Sequence, residues 1–515
     1  MNIIAKKSQL SGEISVPGSK SHTIRAVLLA SLAQGTSHIK NPLASEDCLS
    51  AGKAIPLIGA KIHFGDGNDG LPDREFSGAN IASPVKPTES SGETANFSGA
   101  KGTASDASGA KGTSFGISGA TNEWTVEGAG ENVHLPDDIV NVGNSGSLLY
   151  FMSAISATFD GWSVFTGDES IRKRPVLHVV DAINQLGAFA TVSQPSKNSC
   201  PLLVKGPVLN QKKIITEGSV SSQYITGLMM SACRLQNPLE IELTNPKETP
   251  YLTMTQKWLE KVGIRCEISD DFKHIKVFGP KKIDAFDTTI PSDWEGVAFP
   301  LIAALLSDSE ITINNIDGSK TQGDDAIFDI LKSIGADIEW NFETNKIFVR
   351  GGKKSQNGTG HLSTENLKNQ ELHINISDFP DAICALAAIA CFTEGTTFIE
   401  DAAVCRRKET DRIKVLKSEL TKLGAEIQEG EDFMIIHGHS PVNADGTLNP
   451  DFCLHGATVE SFDDHRIAMS LACMGLGLKE GEQIIVKDAE CCSVSFPGFF
   501  DEMNKINAGF EKNFC

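Results

Sequence analysis

The arginines and lysines of this chain fall in a recurring place. Lys20 and Arg25, Arg172 and Arg174, Arg406, Arg407, Lys408 and Arg412, and Arg466 stand near segments that open on Ser, Asn, Asp or Gly, or in the turns that follow them. An arginine fork binds a carboxylate or phosphate through two parallel hydrogen bonds, and a lysine serves as a mobile point charge. Singly, each of these cations reads as a solvated surface charge. Their recurrence at equivalent places points to one shared site for small anions.

The elements that position them repeat. Each copy has a short polar start, an apolar helix with small residues, a strand, a polar turn and a second helix ending near Leu-Gly-Ala. The openings lie at Ser19, Asn144, Ser219, Ser292, Ser377 and Ser461. The first five copies end at Ile58-Gly59-Ala60, Leu186-Gly187-Ala188, Val262-Gly263-Ile264, Ile334-Gly335-Ala336 and Leu423-Gly424-Ala425; the sixth ends in SFPGFFDEM. After the longer first interval the starts are 75, 73, 85 and 84 residues apart. The recurring glycine suits a left-handed helix C-cap, followed by an extended segment such as AKIHF or ADIEW. The polar openings suit helix N-caps, whose free N–H groups and positive dipole ends attract phosphate and carboxylate. Several such ends at one cleft would make an anion site inside an acidic protein.

Acidic it is: the net charge is −20, which repels long nucleic acids and anionic membranes. The 515 residues exceed what one core usually fills, so two domains are expected. A hydrophobic share of 40% and a charged share of 22% are those of a soluble globular protein. The start lacks a signal-peptide apolar stretch, and no run is long enough for a membrane span. The twelve cysteines form no C-x-x-C pair, and Cys233, Cys384, Cys391 and Cys473 sit in apolar helical patterns as small hydrophobes. A reduced, cytoplasmic protein is expected.

Between about residues 65 and 131 the repeat is interrupted by Gly/Ser/Ala/Thr-rich sequence, with Lys101-Gly102-Thr103 recurring as Lys111-Gly112-Thr113. Such composition buries little apolar area and is expected to be a mobile surface insertion. Shorter polar insertions at 351–370 and 439–456 are expected on the surface.

The ordered motifs are PGSKSHTIRA around Lys20, GNSGS around Asn144, GDESIRKRP around Arg174, GSVSSQ around Ser221, FPDA around Asp381, RKETDR around Glu409 and DDHR around His465. Together they resemble the signature set of the 5-enolpyruvylshikimate-3-phosphate synthase family, over nearly the whole chain outside the insertions. The combination is specific, whereas a lone GNSGS would say little. The resemblance implies an α/β fold of two inside-out domains built from six β-α-β-α-β-β units, with the active site in the interdomain cleft. Residues 20–289 would form the upper domain, and residues 1–19 with 290–515 the lower.

It also implies roles. Ser21 and Arg25 would hold the shikimate carboxylate, and Ser221, Ser222 and Lys408 its phosphate, with Lys20, Gln223 and Asp381 also against this substrate. Arg412 and Arg466 would clamp the phosphoenolpyruvate carboxylate. Lys20, Asn144, Gly146, Arg174 and Gln223 would meet its phosphate, with His465 in support. Asp381 would take the proton from the attacking 5-hydroxyl. Glu409, with Lys20, would protonate the methylene carbon. The substrates would be phosphoenolpyruvate and shikimate 3-phosphate, handled by a monomer with no cofactor, metal, nucleic acid or membrane. From the residues alone, Asp381 could instead cap a helix as Asp293 and Asp463 are expected to do, and Glu409 could pair with Arg406.

Four positions depart from the family pattern. Val494 and Tyr150 replace a lysine and an arginine near the phosphoenolpyruvate phosphate, and Val404 replaces an asparagine at the shikimate hydroxyls. Glu248 replaces a serine at the shikimate phosphate, where a carboxylate would repel the ligand unless Lys247 turns inward. Three other readings stand beside this one: the related transferase acting on UDP-N-acetylglucosamine, a non-catalytic binder of phosphorylated metabolites, and a nucleic-acid-binding repeat protein. The first lacks the GSVSSQ and DDHR combination, and the net charge opposes the last.

Overall fold

The computed structural model describes residues 1–65 and 123–513, and most of the insertion expected at about 65–131 lies outside the described residues. Its end is corrected: Glu123–Ala129 is a strand paired with Gln34–Lys40 and Lys61–His63, with Trp124 and Val126 buried in the core. Among the described residues the strands form six four-stranded sheets of one design. In the second copy, Val140–Asn141 runs parallel to Gly161–Thr166, which pairs antiparallel with Leu202–Gly206, which pairs antiparallel with Phe189–Val192. Each of the five repeat-closing glycines has a positive φ, between 79° and 106°, so the chain turns left-handed there out of a helix, as only glycine does without strain.

Three sheets borrow a strand from elsewhere in the chain. The first copy takes Asp287–Thr289 beside Gln34–Lys40. The fourth takes Ser11–Ser15 beside Glu310–Asn314. The sixth is completed by Asn2–Lys6, which lies between Gln483–Lys487 and Glu511–Asn513.

The opening helix of each copy is buried, with the sheets outside it. Every residue of Gly146–Ser156 is buried, as is every residue of His465–Gly475. Small residues permit this: a Cβ on Gly227 would come within 2.5 Å of the Tyr150 carbonyl oxygen, so the helices Gly146–Ser156 and Ser222–Ser231 touch backbone to backbone. Two apolar cores result. One spans Ile24 to Ile290, and the other joins Ile3–Val16 to Trp294–Phe510. The division at 19/20 and 289/290 is a proposal, and Ile290 packs in the first of these cores.

The chain crosses between the cores twice, and the crossings are tied together. Ser19 N–H donates to the Pro291 carbonyl (2.7 Å) and Asp293 N–H to that of Pro17 (3.0 Å). Each crossing leads directly into an opening helix, Lys20–Leu32 or Trp294–Leu305, and Lys20 lines the cleft between the domains.

Candidate active site

The upper domain brings Lys20, Asn144, Gly146, Arg174, Ser221 and Gln223 to the cleft; the lower brings Asp381, Lys408, Glu409 and Arg466. Ser21, Arg25, Ser222, Arg412 and His465 are not on its wall. Lys20 begins its helix, with its N–H donating to Asp293 (3.1 Å) and its ammonium 3.3 Å from Asp47. Asn144 donates to Asp168 (2.6 Å), and Gln223 to Ser147 (3.1 Å). Gly146 is small for a reason: a Cβ there would lie 2.4 Å from an Arg174 guanidinium nitrogen. Ser221 caps its helix, accepting from Gln223 N–H at 3.2 Å.

Arg25 is turned into the upper domain. Its guanidinium donates to Thr255 (3.0 Å), Thr226 (3.2 Å) and the carbonyls of Ser21 (2.9 Å) and Tyr251 (3.3 Å). Burial brings its pKa down to about 9. These bonds engage four of its five N–H donors, so a bidentate contact with a ligand carboxylate needs one of them exchanged.

In the lower domain one guanidinium gathers the carboxylates. Arg412 is fully buried, donating from Nε to Asp464 (2.8 Å), from Nη2 to Glu409 (2.7 Å) and from Nη1 to Asp381. Asp381 makes no helix-cap bond; its other oxygen is 3.2 Å from Lys408 Nζ. Burial works against its charge, but Lys408 and Arg412 hold it at about 2. Glu409 does not pair with Arg406, which binds Asp411 and Glu429. It reaches across the cleft to Arg174 (3.2 Å). Burial raises its pKa, yet Arg412 and Arg174 keep it well below the usual carboxylate range. His465 is 1% exposed, neither ring nitrogen has a partner among the described residues, and burial lowers its pKa. Arg466 pairs with Glu295 and has Nε 3.6 Å from Asp381.

One expected cap is corrected. Asp464, not Asp463, caps His465–Gly475, accepting from Arg466 N–H at 3.0 Å. Phe462 and Asp463 both adopt positive φ, 54° and 58°, which delays the helix by a residue. Asp293 caps its helix as expected, accepting from Glu295 N–H at 3.0 Å. Lys247 does not turn inward but pairs with Asp401 of the other domain.

Of the four departures, Tyr150, Val404 and Glu248 line the cleft and Val494 does not. Tyr150 donates to the Pro175 carbonyl (2.8 Å), and burial pushes its phenol up to about 12, so it supplies no charge near neutrality. Sequence reasoning gave no role to Asp47, His178, Arg407 or Glu295. Asp47 and Glu295 are carboxylate partners of cleft cations, and nothing in their spacing marks them; Arg407 stood in the cation cluster that was noted. Among the described residues no group of three His, Cys, Asp or Glu side chains is placed to hold a metal ion, and no helix is long and apolar enough to cross a membrane. The described cysteines are free, and all but Cys453 are buried.

Comparison with known proteins agrees over the whole length. The chain is 33% identical over 511 residues to the 3-phosphoshikimate 1-carboxyvinyltransferase of Ruminiclostridium cellulolyticum, covering 99% of this chain and 100% of that one. It is 32% identical over 515 residues to the protein of the same name from Methanococcus maripaludis, covering 99% and 100%. The fold is shared with EPSP synthase from Acinetobacter baumannii, at a TM-score of 0.71, 22% identity and 99% coverage of both chains. It is shared too with the enolpyruvyl transferase NikO from Streptomyces tendae, at a TM-score of 0.70 and 15% identity, covering 100% and 99%. The sequence model described as EPSP synthase (3-phosphoshikimate 1-carboxyvinyltransferase) matches residues 4–94 and 113–503, and the chain belongs to that family.

Proposed function

We propose that this chain transfers the enolpyruvyl group of phosphoenolpyruvate to the 5-hydroxyl of shikimate 3-phosphate, releasing phosphate, in the shikimate pathway of aromatic amino acid biosynthesis. The observation that carries this reading is the pair Asp381 and Glu409. Both are held by the single guanidinium of Arg412 at a cleft lined with cations. Addition requires a proton at the methylene carbon and removal of one from the attacking hydroxyl. Elimination of phosphate then reverses both roles, so an acid and a base must face the substrate together. Asp381, kept ionised by Lys408 and Arg412, suits the base. Glu409 suits the acid once it gains a proton, with Lys20 in support.

The phosphoenolpyruvate carboxylate is assigned to Arg412 and Arg466, and its phosphate to Lys20, Asn144, Gly146, Arg174 and Gln223, with His465 alongside. Shikimate 3-phosphate is assigned to Ser21, Arg25, Ser221, Ser222, Gln223, Lys20 and Lys408. Preorganised cations stabilise the leaving phosphate, and a closed cleft keeps water from the intermediates. One chain supplies both walls of the cleft, which supports a monomer acting on small molecules. Free cysteines support the cytoplasm as its compartment. The test is phosphate release from phosphoenolpyruvate with and without shikimate 3-phosphate. Release that needs the acceptor supports the reading, and no release under either condition refutes it.

A further inference from the structure

The corner made by the start of the Ser222–Ser231 helix and Lys408 has the makings of an anion site: a backbone N–H at a helix N-terminus, a hydroxyl and an ammonium group. In this chain a carboxylate of the protein itself fills it. Glu248 Oε2 accepts from Ser222 N–H and from Ser222 Oγ–H, each at 2.9 Å. Glu248 Oε1 is 3.2 Å from Lys408 Nζ. The residue is 5% exposed and left-handed, with φ 52° and ψ 37°, a conformation that side-chain-bearing residues seldom adopt.

Its neighbours hold it there. Lys247 pairs with Asp401. Glu248 N–H donates to the Ser377 carbonyl (3.1 Å). Thr249 donates from N–H (3.1 Å) and Oγ1 (3.0 Å) to Asp378. All three partners belong to the opposite domain. Residues 247–249 are thus stapled across the domain gap, and the Glu248 side chain itself joins Ser222 of its own domain to Lys408 of the opposite one.

We infer that Glu248 is a specificity-determining residue that competes with the acceptor's phosphate for Ser222 and Lys408. The inference rests on the proposed function, which sends that phosphate to the same groups. Ser222 N–H and Oγ–H carry one proton each and both are taken by Glu248, while Lys408 already serves Asp381 as well as Glu248. The phosphate therefore binds fully only the fraction of molecules in which Glu248 has swung away, and apparent affinity falls by that fraction. The non-phosphorylated acceptor makes no demand on the corner and is not penalised. Discrimination between the two acceptors is therefore blunted.

The experiment measures dissociation constants for shikimate 3-phosphate, shikimate and inorganic phosphate by calorimetry, with wild-type, Glu248→Ser and Glu248→Gln proteins of verified melting temperature. Glu248→Ser is expected to bind shikimate 3-phosphate about tenfold or more tightly, with shikimate binding unchanged. Glu248→Gln keeps the shape without the charge and should move the same way by less, so it carries the test if the serine variant folds poorly. Equal or weaker binding of shikimate 3-phosphate in both variants overturns the inference. If no protein binds either acceptor, the proposed function is what fails. Inorganic phosphate still reads the corner then: tighter binding to the variants supports the competition, and unchanged binding refutes it.

Discussion

Arg174 of the upper domain and Glu409 of the lower meet across the cleft, with Nη2 3.2 Å from Oε1. The same Glu409 receives Arg412 at 2.7 Å, and these two guanidinium groups hold its pKa well below the ordinary range against the effect of burial. Under the proposed function both arginines are wanted by phosphoenolpyruvate, one by its phosphate and one by its carboxylate. Binding therefore withdraws the charges that keep Glu409 ionised and lets it take up the proton the reaction needs. Calorimetry in buffers of different ionisation enthalpy should show wild type taking up about one more proton per phosphoenolpyruvate than Glu409→Gln. Identical proton counts would remove Glu409 from this coupling.

Asp381→Asn should lower turnover by about two to four orders of magnitude. Its pKa in the folded chain, about 2, lies below the ordinary carboxylate value. Its contribution to stability is therefore present above about pH 4 and is lost as pH falls toward about 2. The melting-temperature gap between wild type and Asp381→Asn should be open at pH 6 and narrow across that window. A gap independent of pH, or near-normal turnover, would contradict the assignment.

Asp324 carries the opposite sign. Burial, with Asp381 and Asp293 nearby, raises its pKa well above the ordinary value. The folded chain thus binds this proton more tightly than the unfolded chain, and stability from it is whole below about pH 4 and shrinks as pH rises. Asp324→Asn should leave melting unchanged at pH 4 and raise it by about 1–2 °C at pH 8. Melting curves at the two pH values decide this, and a variant less stable at pH 8 than at pH 4, relative to wild type, sinks it.

The low-complexity insertion leaves and re-enters the fold at paired strands, with His63 opposite Thr125 and Lys61 opposite Glu127. A short connection can close that hairpin. Replacing residues 77–120 by a brief Gly/Ser linker should leave activity and melting temperature almost unchanged, since loop-closure entropy varies slowly with length. A large fall in either, in paired assays of the two proteins, would show that the segment serves the core or the cleft.

The repeat was legible because its punctuation is local. Gly59, Gly187, Gly263, Gly335 and Gly424 each turn left-handed after a helix, and that requirement is written residue by residue. The carbon-acid chemistry was legible as motifs, FPDA and RKETDR, whose carboxylates come to one arginine. What stayed hidden depends on distant partners. Nothing near Asp287–Thr289 announces that it pairs with Gln34–Lys40. The direction of Glu248 follows from a left-handed backbone and from Ser377, Asp378 and Asp401 in the other domain, none of which its neighbours in sequence reveal. The shift of a cap from Asp463 to Asp464 turns on two positive φ angles that ordinary side chains rarely take.

The strand Asn2–Lys6, held between Gln483–Lys487 and Glu511–Asn513, sets an order on how the protein is made. Ribosomes deliver it long before its hydrogen-bonding partners, which lie at the far end of this fold in sequence. The upper core, complete by Ile290, can close while the rest is still being synthesised. The lower core has to keep Ile3 and Ala5, both fully buried when folded, waiting in solvent until Gln483–Lys487 and Glu511–Asn513 have emerged. A nascent chain stalled before Gln483 should therefore carry one finished domain and one unsealed edge, the edge a chaperone would be asked to cover.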